Sequence, residues 1–196
     1  VQDSSLGTFR YVPPSTVIAG VYHFNDTIGQ PWFAPAGLNR GGIDTAIRAY
    51  KKLSQSQRDT LYDSNVNPIA TFPGQGVTVF GQKTTQKKAS ALDRVNVRRL
   101  LINIKSFVAR SSRTLVFEQN TTDLRDQFLN TVNPYLEQVQ SNAGLQAFEV
   151  VMDDTNNTPD TIDRNMLMGL IRLQPTKTAE FIVLDFTIEP SGAVFD

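Results

Sequence analysis

The sequence predicts a mixed α/β (α+β) domain: a mixed sheet packed with two long helices, ending in an extended C-terminal strand. Three observations lead there. Two long stretches repeat apolar residues at helical spacing. Around them lie short apolar segments punctuated by Gly, Pro, Asn and Asp, which read as strands and turns. The last residues, "AEFIVLDFTIEPSGAVFD", alternate as a strand does: Ile182, Leu184, Phe186 and Ile188 form a wholly apolar face, and Phe181, Val183, Asp185, Thr187 and Glu189 a mixed one.

Taken in order, residues 8–12 ("TFRYV") alternate like a strand and stop at Pro13 and Pro14, which lack ladder donors. Residues 16–24 ("TVIAGVYHF") are an apolar run whose helix or strand character stays open. His23 within it reads as a structural strand residue. Residues 25–42 carry loop chemistry, with Trp32 and Phe33 as plugs into the core. Ser54 and Gln57 form a capping-box pattern for a short helix from Gln55 to about Asp63. Residues 68–72 and 77–80 read as strands joined by "PGQG", a turn that lacks the lysine and the strand-to-helix setting of a phosphate loop.

The first long helix is "RVNVRRLLINIKSFVARSS", striped by Val97, Leu100, Leu101, Ile104, Phe107 and Val108. Residues 113–120 ("RTLVFEQN") read as a strand. A second long helix starts at Thr121 or Thr122, either of which suits a cap. Its stripe is Leu124, Phe128, Val132, Leu136 and Val139; Pro134 predicts a kink or break, and Gly144 the stop. Residues 147–153 form the next strand, "DDTNNTPDTIDRN" a polar connector, and residues 166–173 a strand closed by Pro175. The final strand follows, and the last strands are expected to be antiparallel. No internal repeat is visible.

Composition narrows the chemistry. The 196 residues, 40% of them hydrophobic, suit one domain or one domain with arms. No apolar run is long enough for a membrane-spanning helix, and no secretory leader is visible. Val1 in first place suggests a processed chain or a piece of a longer one. With no cysteine, thiolate nucleophiles, disulfides and zinc–thiolate sites are excluded, and one histidine cannot build a histidine metal cluster. Asp153, Asp154, Asp160 and Asp163 are the densest carboxylates, but their connector lacks the glycine and register of a calcium loop. No nucleophile elbow or dinucleotide fingerprint occurs. No enzyme and no cofactor are indicated.

Charge is balanced overall, at 19 basic and 19 acidic residues, but not along the chain. Residues 83–113 carry nine basic residues against Asp93, and residues 118–163 carry nine acids against Arg125. Two readings stand: the stretches neutralise each other within the fold, or a basic face meets an acidic partner. Nucleic acid is disfavoured, because the basic helix interleaves its charges with an apolar stripe and lacks exposed aromatics for stacking.

Several segments resemble the C-terminal domain of contractile-tail sheath proteins from myoviruses. "VPPSTVIAGVY" followed by "PWFAPAG" is similar to the entry into that domain. "VNPIATFPGQGVTVFGQKT" resembles the family's strand–turn–strand, with Phe80 and Lys83 where tryptophan and arginine are frequent. "VNVRRLLINI" is the most specific block; "VFEQN" carries Gln119 at a family proline position, and "NTPDTID" and "QPTKTAEFIVLDF" complete the set in family order.

The resemblance implies a mechanical role: hexameric rings stacked as a helical sheath around a tail tube, triggered by the baseplate, contracting to drive the tube through the host envelope. It implies as partners further copies of the chain, the tube protein, and baseplate and tail terminator proteins, with no nucleic acid and no membrane insertion. The expected location is the virion's tail, after assembly in the host cytoplasm. It also implies that residues 1–178 are a core domain, that residues 179–196 are an arm, and that an N-terminal arm and outer domains lie outside this chain. Phe181, Ile182, Val183, Leu184, Phe186, Thr187 and Ile188 would then tie subunits by strand addition. Whether they pair within or between subunits stays open. Lys83, Lys87, Lys88, Arg98 and Arg99 are the candidates to face the tube. The alternative, from another class, is an α/β ligand-binding or enzymatic domain with its site among the 25–42 loop and the acidic connector.

Overall fold

The two long apolar stripes meet. In the computed structural model, which describes residues 1–3 and 5–184, helix α3 spans Val95–Ser112 and helix α4 Thr122–Ser141. Leu100 and Ile104 of α3 join Leu124, Phe128, Val132, Leu136 and Val139 of α4 in the main core. Phe107 stacks on Tyr135 with centroids 3.8 Å apart, and the Tyr135 hydroxyl donates to Asn103 Oδ1 at 3.2 Å. Of the two threonines that could cap α4, Thr121 does: its hydroxyl accepts from the Leu124 N–H.

The remaining elements, in chain order, are β1 (Gln2–Asp3), β2 (Thr8–Phe9), α1 (Ser15–Ile28), α2 (Gln55–Asp63), β3 (Ile69–Phe72), β4 (Gly76–Val79), β5 (Leu145–Val151), α5 (Pro159–Asp163) and β6 (Leu170–Pro175). β5 and β6 pair antiparallel, Phe148 opposite Leu173 and Val150 opposite Ile171, and these four lean on the α3/α4 core. β3 and β4 form a hairpin whose Val77 and Val79 build a second core with Val21 and Ile43. Gly74 and Gly76 supply the positive φ that this turn requires.

The mixed α/β class is as expected, and so are the α2 capping box, both long helices, the hairpin and the Trp32 plug. Other expectations need correction. The strands are not gathered in one mixed sheet: among the described residues they form three two-stranded antiparallel ladders. Residues 16–24, whose sequence suits either helix or strand, are helical, because Val21 and Asn25 bury one face at a spacing of four. His23 therefore stands on the exposed side of α1, not in a strand, and the loop begins only at Gly29. The strand predicted at residues 8–12 shrinks to Thr8–Phe9.

Residues 113–120 are not a strand. A single 3-10 turn, Arg113–Leu115, plugs Leu115 into the core, and Phe117 takes a left-handed φ of 73° that no strand tolerates. Pro134 does not break α4; it lies on the exposed face, where water can satisfy the carbonyl one turn back. α4 stops at Asn142 with Ala143, not Gly144, in the left-handed position, while Gly144 N–H returns to Val139 O at 2.9 Å. Gly144 is needed for closeness instead: a Cβ there would lie 2.7 Å from Val139 Cγ1 and 2.9 Å from Trp32 Nε1.

The strand predicted at residues 147–153 begins and ends two residues earlier, and that at 166–173 is displaced to Leu170–Pro175. The displacement has a cause in Asn157. Its buried amide donates to Met168 O at 2.9 Å and accepts from Met168 N at 2.7 Å, which holds residues 166–169 against the connector. Ala179 to Leu184 pair with no strand among the described residues, and the rest of the expected terminal strand lies outside them.

Candidate assembly site at the base of the C-terminal segment

After β6 the chain crosses the core surface and is fastened there by a four-residue clasp. Glu180 accepts from the Tyr62 hydroxyl at 2.7 Å, from Arg94 Nε at 2.8 Å and from Gln82 Nε2 at 3.2 Å. Gln82 also donates to the Thr178 hydroxyl at 2.6 Å. Each partner comes from a different place: Tyr62 from the last turn of α2, Gln82 from the stretch after β4, Arg94 from the residue that precedes α3.

The local sequence explains why Gln82 is there. α3 begins without a side-chain cap of its own, since Arg94 occupies the capping position and makes no such bond. Gln82 serves instead, its backbone oxygen accepting from Val95 N–H at 2.8 Å and its Oε1 from Asn96 N–H at 3.4 Å. One buried side chain thus joins the start of α3 to the C-terminal segment.

Electrostatics follow the geometry. Burial pushes the Glu180 carboxyl up, but the hydrogen bonds from Arg94 and Tyr62 outweigh it and hold the group below its usual range. Burial, then the bond to Glu180, pushes the Tyr62 hydroxyl well above its ordinary value. The same carboxylate raises Arg94. The site is a charge-assisted anchor.

Immediately beyond the clasp the chain is bare. Phe181, Ile182, Val183 and Leu184 are 77%, 81%, 92% and 69% exposed. Phe181, Ile182 and Val183 line an open groove of about 670 Å³ together with Pro68, Phe80, Arg40 and Arg58. Phe186, Thr187 and Ile188 lie outside the described residues.

The five basic candidates divide into two groups. Lys83 caps the end of α2, donating to Tyr62 O at 2.6 Å with its ammonium 4.1 Å from the Tyr62 ring centroid. Arg99 is held by both carboxylate oxygens of Asp26, at 2.8 and 2.6 Å, over the Tyr22 ring. Lys87, Lys88 and Arg98 are exposed and take part in no ion pair among the described residues. No ion pair among the described residues joins the basic stretch to the acidic one either; the acids that do pair there hold Arg125, Arg164 and Arg172. The clasp itself went unread in the sequence. Glu180 stands 118, 98 and 86 positions from its three partners, and no local pattern signals a meeting at such range.

The fold is shared with contractile machines. A chain of the sixfold-symmetrised anti-feeding prophage baseplate superposes with a TM-score of 0.82 at 25% identity, covering 90% of this chain and 50% of that one. A chain of an extracellular contractile injection system's sheath complex, in the contracted state, gives 0.81 at 26%, covering 90% of this chain and 51% of that one. The chain belongs to the phage tail sheath C-terminal domain family, whose sequence model matches residues 87–189. The tail sheath protein of Vibrio phage KVP40 is 39% identical over 186 residues, and that of Enterobacteria phage T4 is 38% identical over 187. In each case the match covers 95% of this chain and 28% of the relative, so the chain spans well under half the length of those proteins.

Proposed function

We propose that this chain is the inner, assembling part of a contractile-tail sheath subunit, a structural and non-enzymatic role. Copies of the complete protein stack as hexameric rings into a helical sheath around a tail tube. They meet baseplate and terminator proteins at the ends and contract to drive the tube through the host envelope. The site of action is the virion's tail, after assembly in the host cytoplasm.

The observation that carries this reading is the abrupt change at Glu180: a clasped residue followed by four exposed apolar ones. A soluble domain gains nothing from such a segment on its own. Donated to the edge of a neighbour's ladder, the segment becomes a tie, with backbone bonds of roughly 0.5–1.5 kcal/mol each and side chains buried at roughly 1.5–3 kcal/mol each. Among the described residues β5–β6 has only two strands and offers such edges. The arm then starts at Phe181, not at Ala179, and Phe186, Thr187 and Ile188 continue it. Lys87, Lys88 and Arg98, which no ion pair holds among the described residues, are the ones that face the tube.

Negative-stain microscopy of the complete protein tests the assembly, which should appear as tubular polymers of variable length. Deleting residues 181–196 should abolish the polymers and leave the unfolding transition in place. Polymers that survive the deletion would remove the arm from the mechanism.

A further inference from the structure

Phe117 is fully exposed and sits at φ 73°, a left-handed backbone that bulky side chains avoid. Strain of this kind persists where the surrounding structure over-determines it, and it clusters at functional sites. Here the determinants are visible on both sides. Leu115 is plugged into the core, Glu118 N–H returns to Leu115 O at 3.3 Å, and Asn120 donates to Met166 O at 3.0 Å. The fold thus spends a strained backbone to hold an aromatic ring, with Val116 beside it at 59% exposure, out in water.

The charges that flank this knob in sequence are mainly acidic: Arg113 lies four residues before Phe117, but Glu118 adjoins it and two further acids follow. Glu118 and, at the start of α4, Asp123 and Asp126 are exposed and have no ion pair among the described residues. A complementary surface exists on the same chain. A groove of about 560 Å³ is floored by Val17, Ile43, Ile69 and Val77, and it is edged by the exposed Tyr50, Arg48 and Lys51. No acid lines it among the described residues. Its floor belongs to the second core, whereas Leu115, which anchors the knob, belongs to the main one.

We propose that Phe117 of one copy seats in the groove beside Tyr50 of a second copy, with Glu118 and Asp123 facing Arg48 and Lys51. The choice of a second copy rests on charge: an acid-flanked apolar knob and an acid-free, basic-edged apolar groove are presented by one chain. Such a contact is head-to-tail, so repeating it generates rings or helices. It deepens the assembly reading above and rests on it, adding a contact independent of the arm.

The chain has no cysteine, so the contact can be tested by crosslinking the complete protein. Val116→Cys and Ala49→Cys preparations, which keep the Phe117 and Tyr50 rings, should give, when mixed, assembled and treated with a short bis-maleimide, a product of twice the subunit mass that neither gives alone. Phe117→Gly separates packing from contact. Glycine relieves the left-handed backbone, so the unfolding temperature should hold or rise, while the concentration needed for assembly rises about tenfold. Glu118→Lys should also weaken assembly, and Lys51→Glu should restore it. Polymers without the mixed crosslink, or Phe117→Gly polymers forming at the wild-type concentration, would overturn the contact and leave the sheath reading standing. Wild-type protein that forms no polymers at all would overturn both.

Discussion

Gln82 Nε2 lies 3.2 Å from Glu180 Oε1, across 98 positions of sequence. The same amide presents its oxygen to the N–H of Asn96 at the start of α3. The base of the C-terminal segment is therefore wired through one side chain to the start of α3. Gln82→Leu should remove both links while keeping the side chain's bulk. Leaving buried partners unpaired costs about 1–3 kcal/mol. Amide exchange offers an internal control: Asn96 should lose protection, whereas Val95, bonded to the Gln82 backbone oxygen, should keep more of it.

Acid should loosen the same clasp. Glu180 is held below the ordinary carboxylate range, so its contribution is present above the unfolded value and is lost as pH falls through the folded one. Unfolding temperatures measured from neutral pH downward should fall more steeply for wild type than for Glu180→Gln, which has no proton to gain. At neutral pH Glu180→Gln should be the less stable, because Arg94 loses its charged partner. Parallel profiles for the two proteins would mean that the clasp does not titrate with folding.

Signals confined to one turn or one stripe were legible in the sequence. Ser54 and Gln57 marked α2 because both partners of a capping box sit three residues apart. Leu100 with Ile104, and Phe128 with Val132, marked the helix pair because each stripe reports one buried face. Residues 113–120 misled because Leu115 and Val116 suit a strand, whereas the decision was made by a core position for Leu115 and by the backbone of Phe117. Pro134 misled because its effect depends on which way it faces. The clasp was illegible for a different reason: Tyr62, Gln82, Arg94 and Glu180 acquire meaning only once α2, the hairpin and α3 are in place.

Gly144 makes a sharper packing prediction than any of the large core residues. Trp32 Nε1 donates to Asn142 O at 3.0 Å, directly against the glycine that follows the end of α4. In Gly144→Ala the added methyl meets Val139, a residue 1% exposed with nowhere to move. Overpacking of this kind costs about 1–3 kcal/mol. Denaturant unfolding should show a lower midpoint with an unchanged slope, and Trp32 fluorescence, the sole tryptophan signal, should shift with it.

The division among the basic residues predicts two phenotypes where a uniform patch would give one. Reversing Lys87, Lys88 and Arg98 to glutamate touches side chains with no ion pair among the described residues, so unfolding should change little. Their loss should instead weaken sheath formation on purified tubes, most clearly at low salt, where charges separated by solvent still act on each other. Reversing Arg99 breaks the pair with Asp26, and reversing Lys83 removes the donor to Tyr62 O, so both should lower the unfolding temperature before any tube is added. Unchanged assembly on tubes at low salt with all three exposed residues reversed would remove the basic stretch from the tube interface.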